Sequence, residues 1–438
     1  MASKTTYITP VTDCSYIDIE ANLAVHINQC FTNKNVFRIS NTLKEEELPL
    51  LTYDYAKRKW FTGRYIGKIY FIYLKQNYCF EVIPRFGNAT VMHLLEEVFN
   101  IKLANNNSSN TLKSDHNELV KKLISVIWVK QLSKANIHGL PKHKVKIQYK
   151  GSTIKGRINI RKSLVSIYNE KLIISERTEK EIDKTIVTIL YKAYETLCKS
   201  YYLTQNMISE SGLEIVNSSQ TVSNSSVTEN QYKRIKYGSM YSNYKNIVDL
   251  SWNIIKRKKN NLSEEHSMNS GDALFLDMAE IWESYLRSVL KKKYSIDGWK
   301  IYSNKYMIYN KQYFKRGLIP DIIIEKEENV VVFDAKYKNM ESKQFDYDRS
   351  DFFQIHTYGA YMKAQNKKLL GLGLLYPLLE NMSAEQLQNN FSENLYGETA
   401  SNTWFKVDGI KLSKNREELD NEKNAFLTRL EEKLIVTI

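Results

Sequence analysis

The spacing of apolar residues predicts strands and helices along the first two thirds of the chain. Residues 64–86 have the pattern of two strands around a Lys-Gln-Asn turn. Residues 157–161 alternate Arg or Asn with Ile, which predicts a half-buried strand. Apolar residues at helical spacing predict helices over residues 91–99, 118–135, 179–202, 241–259 and 273–294, the last with Asp272 as its N-cap.

The C-terminal part of the chain shows both strand and helix periodicity. Strand signals at residues 300–309 precede an apolar hairpin at 320–338, a helix at 350–366 and a buried strand at 369–377. An amphipathic, charged helix is predicted over residues 417–434. Alternation of helices with buried strands is typical of an α/β fold.

Segments rich in Asn and Ser divide the chain, because such segments cannot bury a core. They cover residues 104–117, 216–231 and 257–272. We therefore predict a β-rich N-terminal domain over 1–104, an α+β middle region over 111–216 and an α/β domain over 230–438.

The composition narrows the choice of partner and compartment. The 438 residues carry a formal net charge of +14, which favours a polyanionic partner, most simply nucleic acid. Four cysteines without C-x-x-C spacing argue against a zinc site or disulfides and favour a reducing compartment. No run approaches the roughly 18 apolar residues of a membrane span. We expect a cytoplasmic protein without a membrane partner.

Charged residues interrupt the apolar hairpin "PDIIIEKEENVVVFDAKYK". A turn centred between Glu327 and Glu328 would place Asp321 directly opposite Asp334, with Cβ atoms about 4.5–5.5 Å apart. Lys336, two residues beyond Asp334, shares their face. Two opposed carboxylates in an apolar sheet repel each other and lose hydration, so a divalent cation would stabilise them better than one lysine. The alternative is an edge-strand ion pair in which Asp321 only ends a loop.

Such a carboxylate pair predicts a Mg²⁺ site for phosphodiester chemistry. Mg²⁺ favours two carboxylates together with waters and a substrate phosphate. It lowers the pKa of a bound water and polarises a phosphoryl oxygen. Lys336 would orient the attacking water or stabilise the charge that develops on the phosphate.

The flanking helices carry further polar candidates. Asp351, Gln354 and Tyr358 lie on one helical face, which suits contacts with a phosphate or with the catalytic lysine, or else exposure to solvent. Glu283 sits in an apolar run of the preceding helix. It would either reach the metal or form an i,i+4 ion pair with Arg287.

The P-D, D-A-K and Q-x-x-x-Y elements, in this order, resemble the PD-(D/E)XK nuclease superfamily. The segments "FLDMAEIWESYL", "FDAKYK", "DFFQIHTYGAYM" and "GLGLLYP" resemble more closely the McrC nuclease subunits of modification-dependent restriction systems. The resemblance extends upstream through "SERTEKEIDKTIV" and "GRYIGKIYF", so that it covers residues 64–377. It implies a C-terminal PD-(D/E)XK fold, with a mixed central sheet flanked by helices.

The resemblance also implies a role for each candidate. The implied metal ligands are Asp321, Asp334 and Glu283, and the implied catalytic residues are Asp321, Asp334, Lys336, Gln354 and Tyr358. The cofactor would be Mg²⁺ or Mn²⁺. Candidates for contacts with the DNA backbone are Lys315, Arg316 and Lys338, because they flank the hairpin where a phosphate must lie.

The same resemblance implies a partner. Members of this family work with a separate McrB-like AAA+ GTPase ring, into which their N-terminal part inserts and whose GTP hydrolysis they stimulate. The segment "GRYIGKI" is no phosphate loop, because it has three residues between its glycines and Ile69 where Ser or Thr is needed. We therefore expect GTP to be bound only by the partner, with residues 1–104 docking to the ring.

These observations predict a bacterial, Mg²⁺-dependent DNA endonuclease subunit of a GTP-driven restriction complex that cuts double-stranded DNA with modified cytosine. One alternative is a stand-alone repair or recombination nuclease of the same fold. Another is a non-cutting subunit that bridges to the GTPase and activates it.

Overall fold

In the computed structural model the chain forms two compact units. The residues described are 5–31, 36–37, 48–99, 116–220, 227–263, 274–311, 313–338, 349–378, 392–395 and 403–436. One unit combines Met1–Val120 with His266–Ile438, and the other is Lys121–Glu265. The first 120 residues thus belong to the same unit as the C-terminal region, whereas the sequence predicted separate domains for them.

The strands, in chain order, are β1 Thr6–Tyr7, β2 Val11–Thr12, β3 Tyr16–Ile17, β4 Val36–Phe37, β5 Leu51–Asp54, β6 Lys59–Thr62, β7 Tyr65–Tyr73, β8 Gln76–Ile83, β9 Lys142–Gly151, β10 Arg157–Ile158, β11 Ile173–Ile182, β12 Leu274–Asp277, β13 Lys300–Tyr302, β14 Tyr306–Lys311, β15 Phe314–Leu318, β16 Ile322–Lys326, β17 Asn329–Ala335, β18 Lys368–Leu378, β19 Ser392–Asn394 and β20 Trp404–Lys411.

The helices are α1 Ala21–Cys30, α2 Asn88–Phe99, α3 His116–Ala135, α4 Ile160–Glu170, α5 Lys184–Ser200, α6 Glu210–Gln220, α7 Glu229–Lys233, α8 Tyr244–Ser263, α9 Met278–Tyr294, α10 Arg349–Ala364 and α11 Arg416–Val436. In the part of the chain described above, none of them is long and apolar enough to cross a lipid bilayer.

The N-terminal region is β-rich, as predicted. Its larger sheet has the strand order β1-β8-β7-β12-β4, with β2 also paired to β8, and a smaller sheet has the order β3-β6-β5. The predicted hairpin is β7–β8. It turns at Leu74 and Lys75, one residue earlier than predicted, because both have positive φ angles, of 50° and 63°, which suit a two-residue turn.

Strand β12 joins this sheet from a distant part of the sequence and replaces the first turns of a predicted helix. It runs antiparallel to β7, so the chain stays extended as far as Asp277. The Asp277 carboxylate then accepts hydrogen bonds from the backbone N–H groups of Ala279 and Glu280 and caps α9. The predicted cap, Asp272, lies outside the described residues. A short apolar run fits a strand and a helix equally well, which explains the error.

The second sheet confirms the predicted mixed α/β class. Its order is β13-β16-β17-β18-β20-β19. Strand β16 is antiparallel to β17, whereas β17, β18 and β20 are parallel to one another. Helix α10 connects β17 to β18 and packs on one face of the sheet, over a core that includes Ile323, Val332 and Val407. Helix α11 packs against β20, where Arg429 binds Asp408 at 2.8 Å.

Several predicted elements of this region are confirmed, with small shifts at their ends. They are the hairpin β16–β17, the helix α10, the buried strand β18 and the terminal helix α11. Strand β20, which extends the sheet beyond β18, was not predicted.

In the second unit, the sheet has the order β10-β11-β9. The predicted helix over residues 179–202 begins too early, because β11 pairs with β9 up to Ile182. Helix α5 starts only after Asp183, whose side chain accepts from the N–H groups of Thr185 and Ile186.

The strand predicted over residues 157–161 is also too long. It ends at Ile158, because the Asn159 side chain accepts a hydrogen bond from the Lys162 N–H and so starts α4. Local capping therefore outweighs the alternating pattern.

Helix α4 has its small polar residues inside and its apolar residues outside. Ser163 is buried, and its hydroxyl donates to the Ile174 carbonyl at 2.8 Å. Ile160, Leu164 and Tyr168 are 70%, 66% and 91% exposed. An exposed apolar face of this kind marks an interaction surface.

Two glycines of β18 leave room for aromatic rings that lie across the second sheet. A Cβ atom at Gly371 would lie 2.1 Å from the Trp404 indole, and one at Gly373 would lie 2.7 Å from the Phe333 ring. These two rings also contact each other, with centroids 5.9 Å apart. The glycines in "GLGLLYP" thus reflect tight packing between neighbouring strands.

We predict that Gly371→Ala lowers the free energy of unfolding of this unit by about 1–3 kcal/mol, because the methyl group overpacks the indole. The matched control is Gly63→Ala in the same unit, where the nearest atom to an added Cβ is 3.7 Å away. Denaturant unfolding measures both variants. Equal stability of the two variants would contradict this packing.

Candidate active site

The β16–β17 hairpin has the register that the sequence predicted. Ile322 pairs with Phe333 and Lys326 with Asn329, around a two-residue turn in which Glu327 has φ of 56°. The same register places Asp321, the residue before β16, opposite Asp334 of β17. Both side chains are almost fully buried, at 1% and 0% exposure.

The Asp321 carboxylate is fixed by the neighbouring strand. Its Oδ2 atom accepts a hydrogen bond of 2.9 Å from the Ala335 backbone N–H. Its backbone carbonyl accepts one of 3.1 Å from the Arg287 guanidinium of α9. The Asp321 side chain is therefore held in one orientation at the end of the sheet, and the residue does more than end a loop.

Lys336 lies among carboxylates on the same face. Its Nζ atom is 2.5 Å from Asp334 Oδ2 and 3.0 Å from Asp351 Oδ1. It also donates to Gln354 Oε1 at 2.8 Å. Burial lowers the pKa of Lys336, but the two carboxylates outweigh burial and raise the pKa above its ordinary value of 10.5. Lys336 is therefore an ammonium group at neutral pH.

Helix α10 supplies the polar face that the sequence predicted. The Gln354 amide donates to the Tyr358 hydroxyl at 2.7 Å, and this hydroxyl donates to the Ile319 carbonyl at 3.2 Å. Tyr358 is buried, so the face is not simply solvated. The chain of bonds runs from Lys336 through α10 to the segment that precedes Asp321.

Asp351 is a member of the site, although the resemblance assigned no role to it and only its helical face, shared with Gln354 and Tyr358, made it a candidate. Besides Lys336, it binds Lys338 Nζ at 2.6 Å, and the Tyr376 hydroxyl lies 3.4 Å from its Oδ2. Its position three residues before Gln354 was a usable signal. Lys338, predicted to contact DNA, is thus held at the edge of the site by a carboxylate.

Glu283 lies on helix α9, one turn before Arg287. Glu283 is half-buried on the helix whose Arg287 binds the Asp321 carbonyl. Within the described residues, no three His, Cys, Asp or Glu side chains converge closely enough to hold a metal ion. The role of Glu283 as a third ligand stays a prediction.

The donor set nevertheless fits Mg²⁺. Asp321, Asp334 and Asp351 are buried carboxyl groups, and Lys336 is the ammonium group beside them. The buried part of the site thus has more acidic than basic groups, which a divalent cation would balance. Mg²⁺ takes one or two carboxylates and leaves its other positions to water and phosphate, so a closed protein cage is not needed.

The other two basic candidates lie outside this cluster. Lys315 and Arg316 are exposed residues of β15, the strand that leads to Asp321. The Arg316 guanidinium lies 5.2 Å from the centre of the Phe314 ring.

A buried cluster from the N-terminal region supports the end of β17, and no sequence pattern predicted it. The Arg85 guanidinium lies 4.5 Å from the centre of the Tyr337 ring, next to Lys336 in the chain. The Arg85 backbone N–H donates to Asp13 Oδ1 at 2.6 Å. The Cys14 thiol is 3.6 Å from the Tyr337 carbonyl. Burial raises the pKa of Asp13, although the charge of Arg85 opposes this effect.

The fold and this site define a mixed α/β protein with a buried carboxylate and lysine centre at the end of its sheet. The chain belongs to the family of the McrBC 5-methylcytosine restriction system component, whose model matches residues 62–377. No curated protein sequence matches the chain.

The solved structures similar to the chain include two McrBC assemblies. One is a refined half-complex from a tetradecameric assembly of Thermococcus gammatolerans McrB AAA+ hexamers with bound McrC, with 12% identity, a TM-score of 0.47 and coverage of 97% of this chain and 100% of that chain. The other is a cryo-EM structure of the Thermococcus gammatolerans McrBC complex, with 11% identity, a TM-score of 0.33 and coverage of 65% and 87%.

We predict that Arg85→Met lowers the free energy of unfolding by about 3 kcal/mol, because it removes the cation beside a buried carboxylate. The double variant Asp13→Asn/Arg85→Met should lose less than the sum of the single variants, with a coupling of about 0.5–3 kcal/mol. Denaturant unfolding of the wild type, the two single variants and the double variant measures this coupling. Additive losses would show that the two residues do not interact.

Proposed function

We propose that the chain is the DNA-cutting subunit of a GTP-driven restriction complex, and that its C-terminal region is a PD-(D/E)XK endonuclease. The observation that carries the proposal is the pairing of Asp321 with Asp334 in one buried hairpin, with Lys336 bound beside them. Membership of a 5-methylcytosine restriction family supports DNA with modified cytosine as the substrate.

The aspartates are the proposed ligands of Mg²⁺, or of Mn²⁺, with Glu283 as a further candidate. When bound, the cation would lower the pKa of a water molecule and stabilise negative charge on the phosphate. Asp321 is oriented for this task by the Ala335 N–H, which leaves its carboxylate little freedom to turn away.

Lys336 acts in this proposal as a fixed positive charge. Beside the carboxylates of Asp334 and Asp351 its ammonium group is placed to stabilise a phosphate oxygen or to orient the attacking water. Gln354 holds the ammonium group in place, and Tyr358 holds Gln354. These two residues thus position the lysine through a chain of hydrogen bonds.

Three basic residues are the proposed contacts with the DNA backbone. Lys315 and Arg316 lie on β15, which leads into the site, and Lys338 lies at its edge beside Asp351. Contacts of this type position a duplex without reading its sequence. The net charge of +14 supports a polyanionic substrate.

The proposed partner is an McrB-like AAA+ GTPase ring that supplies GTP hydrolysis. The sequence has no phosphate-binding loop of its own at "GRYIGKI". We place the docking surface in residues 1–104, and the exposed apolar face of α4 is a second surface suited to a protein partner.

We predict that Asp334→Asn slows cutting of methylated DNA at least about 100-fold when the chain is combined with its GTPase partner, GTP and Mg²⁺. The control is Glu325→Gln, which removes a carboxylate of the same hairpin that binds Lys367. Both variants should retain stimulation of the GTPase. Gel-based cleavage and phosphate release measure the two activities.

Three outcomes would count against the proposal. Cutting by Asp334→Asn at the wild-type rate would show that the hairpin takes no part in the reaction. Metal-dependent cutting by the purified chain without nucleotide would favour a stand-alone nuclease. GTPase stimulation by a wild-type complex that never cuts would favour a bridging subunit.

A further inference from the structure

The β14–β15 hairpin presents aromatic rings to solvent beside the candidate active site. Tyr309, Tyr313 and Phe314 are 52%, 93% and 48% exposed. Large exposed rings that cluster in one element indicate contact with another molecule, because larger contiguous apolar patches on a soluble protein mark interaction sites.

The rings form one organised surface. Tyr309 and Phe314 have ring centroids 5.1 Å apart, and Tyr309 pairs across the hairpin with Arg316. The Arg316 guanidinium lies over Phe314, so that two rings and a cation share one side of the ribbon. We call Tyr309, Tyr313, Phe314 and Arg316 the aromatic surface.

The base of this hairpin is anchored on the face of the sheet that carries the site. Tyr306 and Leu318, which pair with each other, pack against the core that α10 covers. The next residue, Ile319, accepts the hydrogen bond from Tyr358. The hairpin therefore ends three residues before Asp321, and its base packs on the same face of the sheet as Lys336.

The length and charge of the hairpin suit a nucleic acid. About five paired residues span roughly 17 Å, which equals about five base-pair steps of duplex DNA. Residues 304–318 contain four basic residues and no acidic one. A surface for an ordinary protein partner would not need this one-sided charge, whereas a polyanion requires it.

We propose that the aromatic surface inserts against the bases of the bound DNA and unstacks them within about five base-pair steps of the phosphate that is cut. Aromatic side chains stack on any base and so bind without a strict sequence preference, while Arg316 and Lys315 hold the adjacent phosphates. The substrate is then DNA whose bases are opened close to the cleavage point. This inference rests on the proposed function and adds how the same site receives its substrate.

The test uses the whole complex of the chain with its GTPase partner and methylated DNA that contains 2-aminopurine near the cleavage point. Ca²⁺ in place of Mg²⁺ permits binding to be followed without cutting. Wild type and Tyr309→Phe should raise the 2-aminopurine fluorescence on binding. Tyr309→Ala/Phe314→Ala should lose this rise and cut at least about tenfold more slowly in Mg²⁺, as expected for lost base stacking.

Two further variants make the test specific. Tyr313→Ala, at the exposed tip, should lose part of the signal without disturbing any packing. Tyr202→Ala removes a ring of the second unit that is as exposed as that of Tyr309, at 52%, and should behave as wild type.

An unchanged fluorescence rise in the double variant would overturn the inference. So would a loss of GTPase stimulation with an unchanged rise, because the surface would then serve a protein partner. Failure of the proposed function looks different: the wild-type complex would show the fluorescence rise in Ca²⁺ and would not cut in Mg²⁺.

Discussion

The register of the β16–β17 hairpin is the constraint on which the candidate site depends. Both strands are apolar and buried on both faces, so burial alone would tolerate a slipped pairing. The two-residue turn at Glu327 and Glu328 and the hydrogen bond from Ala335 to Asp321 fix the pairing instead. A slip by one residue would send one aspartate to the face on which α11 packs and would separate the carboxylates.

This register has an electrostatic cost that the surroundings offset. Lys336 and Lys338 bind the carboxylates, and Gln354 and Tyr358 keep Lys336 in place. Support also comes from the N-terminal sheet, which belongs to the same unit. Arg85 packs on Tyr337, directly after the lysine. The site is therefore held by residues from opposite ends of the sequence, so the N-terminal region helps to shape it.

The sequence predicted the part of the site that local geometry controls. Turn position and strand periodicity sufficed to pair Asp321 with Asp334, and helical periodicity sufficed to align Gln354 with Tyr358. The strand Leu274–Asp277 and the contact between Arg85 and Tyr337 depend on tertiary pairing, which no local pattern contains. The start of helix α4 shows that a local signal can also be misread. The alternating pattern favoured a strand there, but the Asn159 side chain caps a helix instead.

The most direct test of the central claim is crystallography of the chain with Mn²⁺, located by its anomalous scattering. We expect one strong anomalous peak within bonding distance of carboxylate oxygens from both Asp321 and Asp334, and no peak there in Asp334→Asn. Ordered crystals whose Mn²⁺ lies elsewhere, or whose aspartates bind only Lys336 at saturating Mn²⁺, would contradict it.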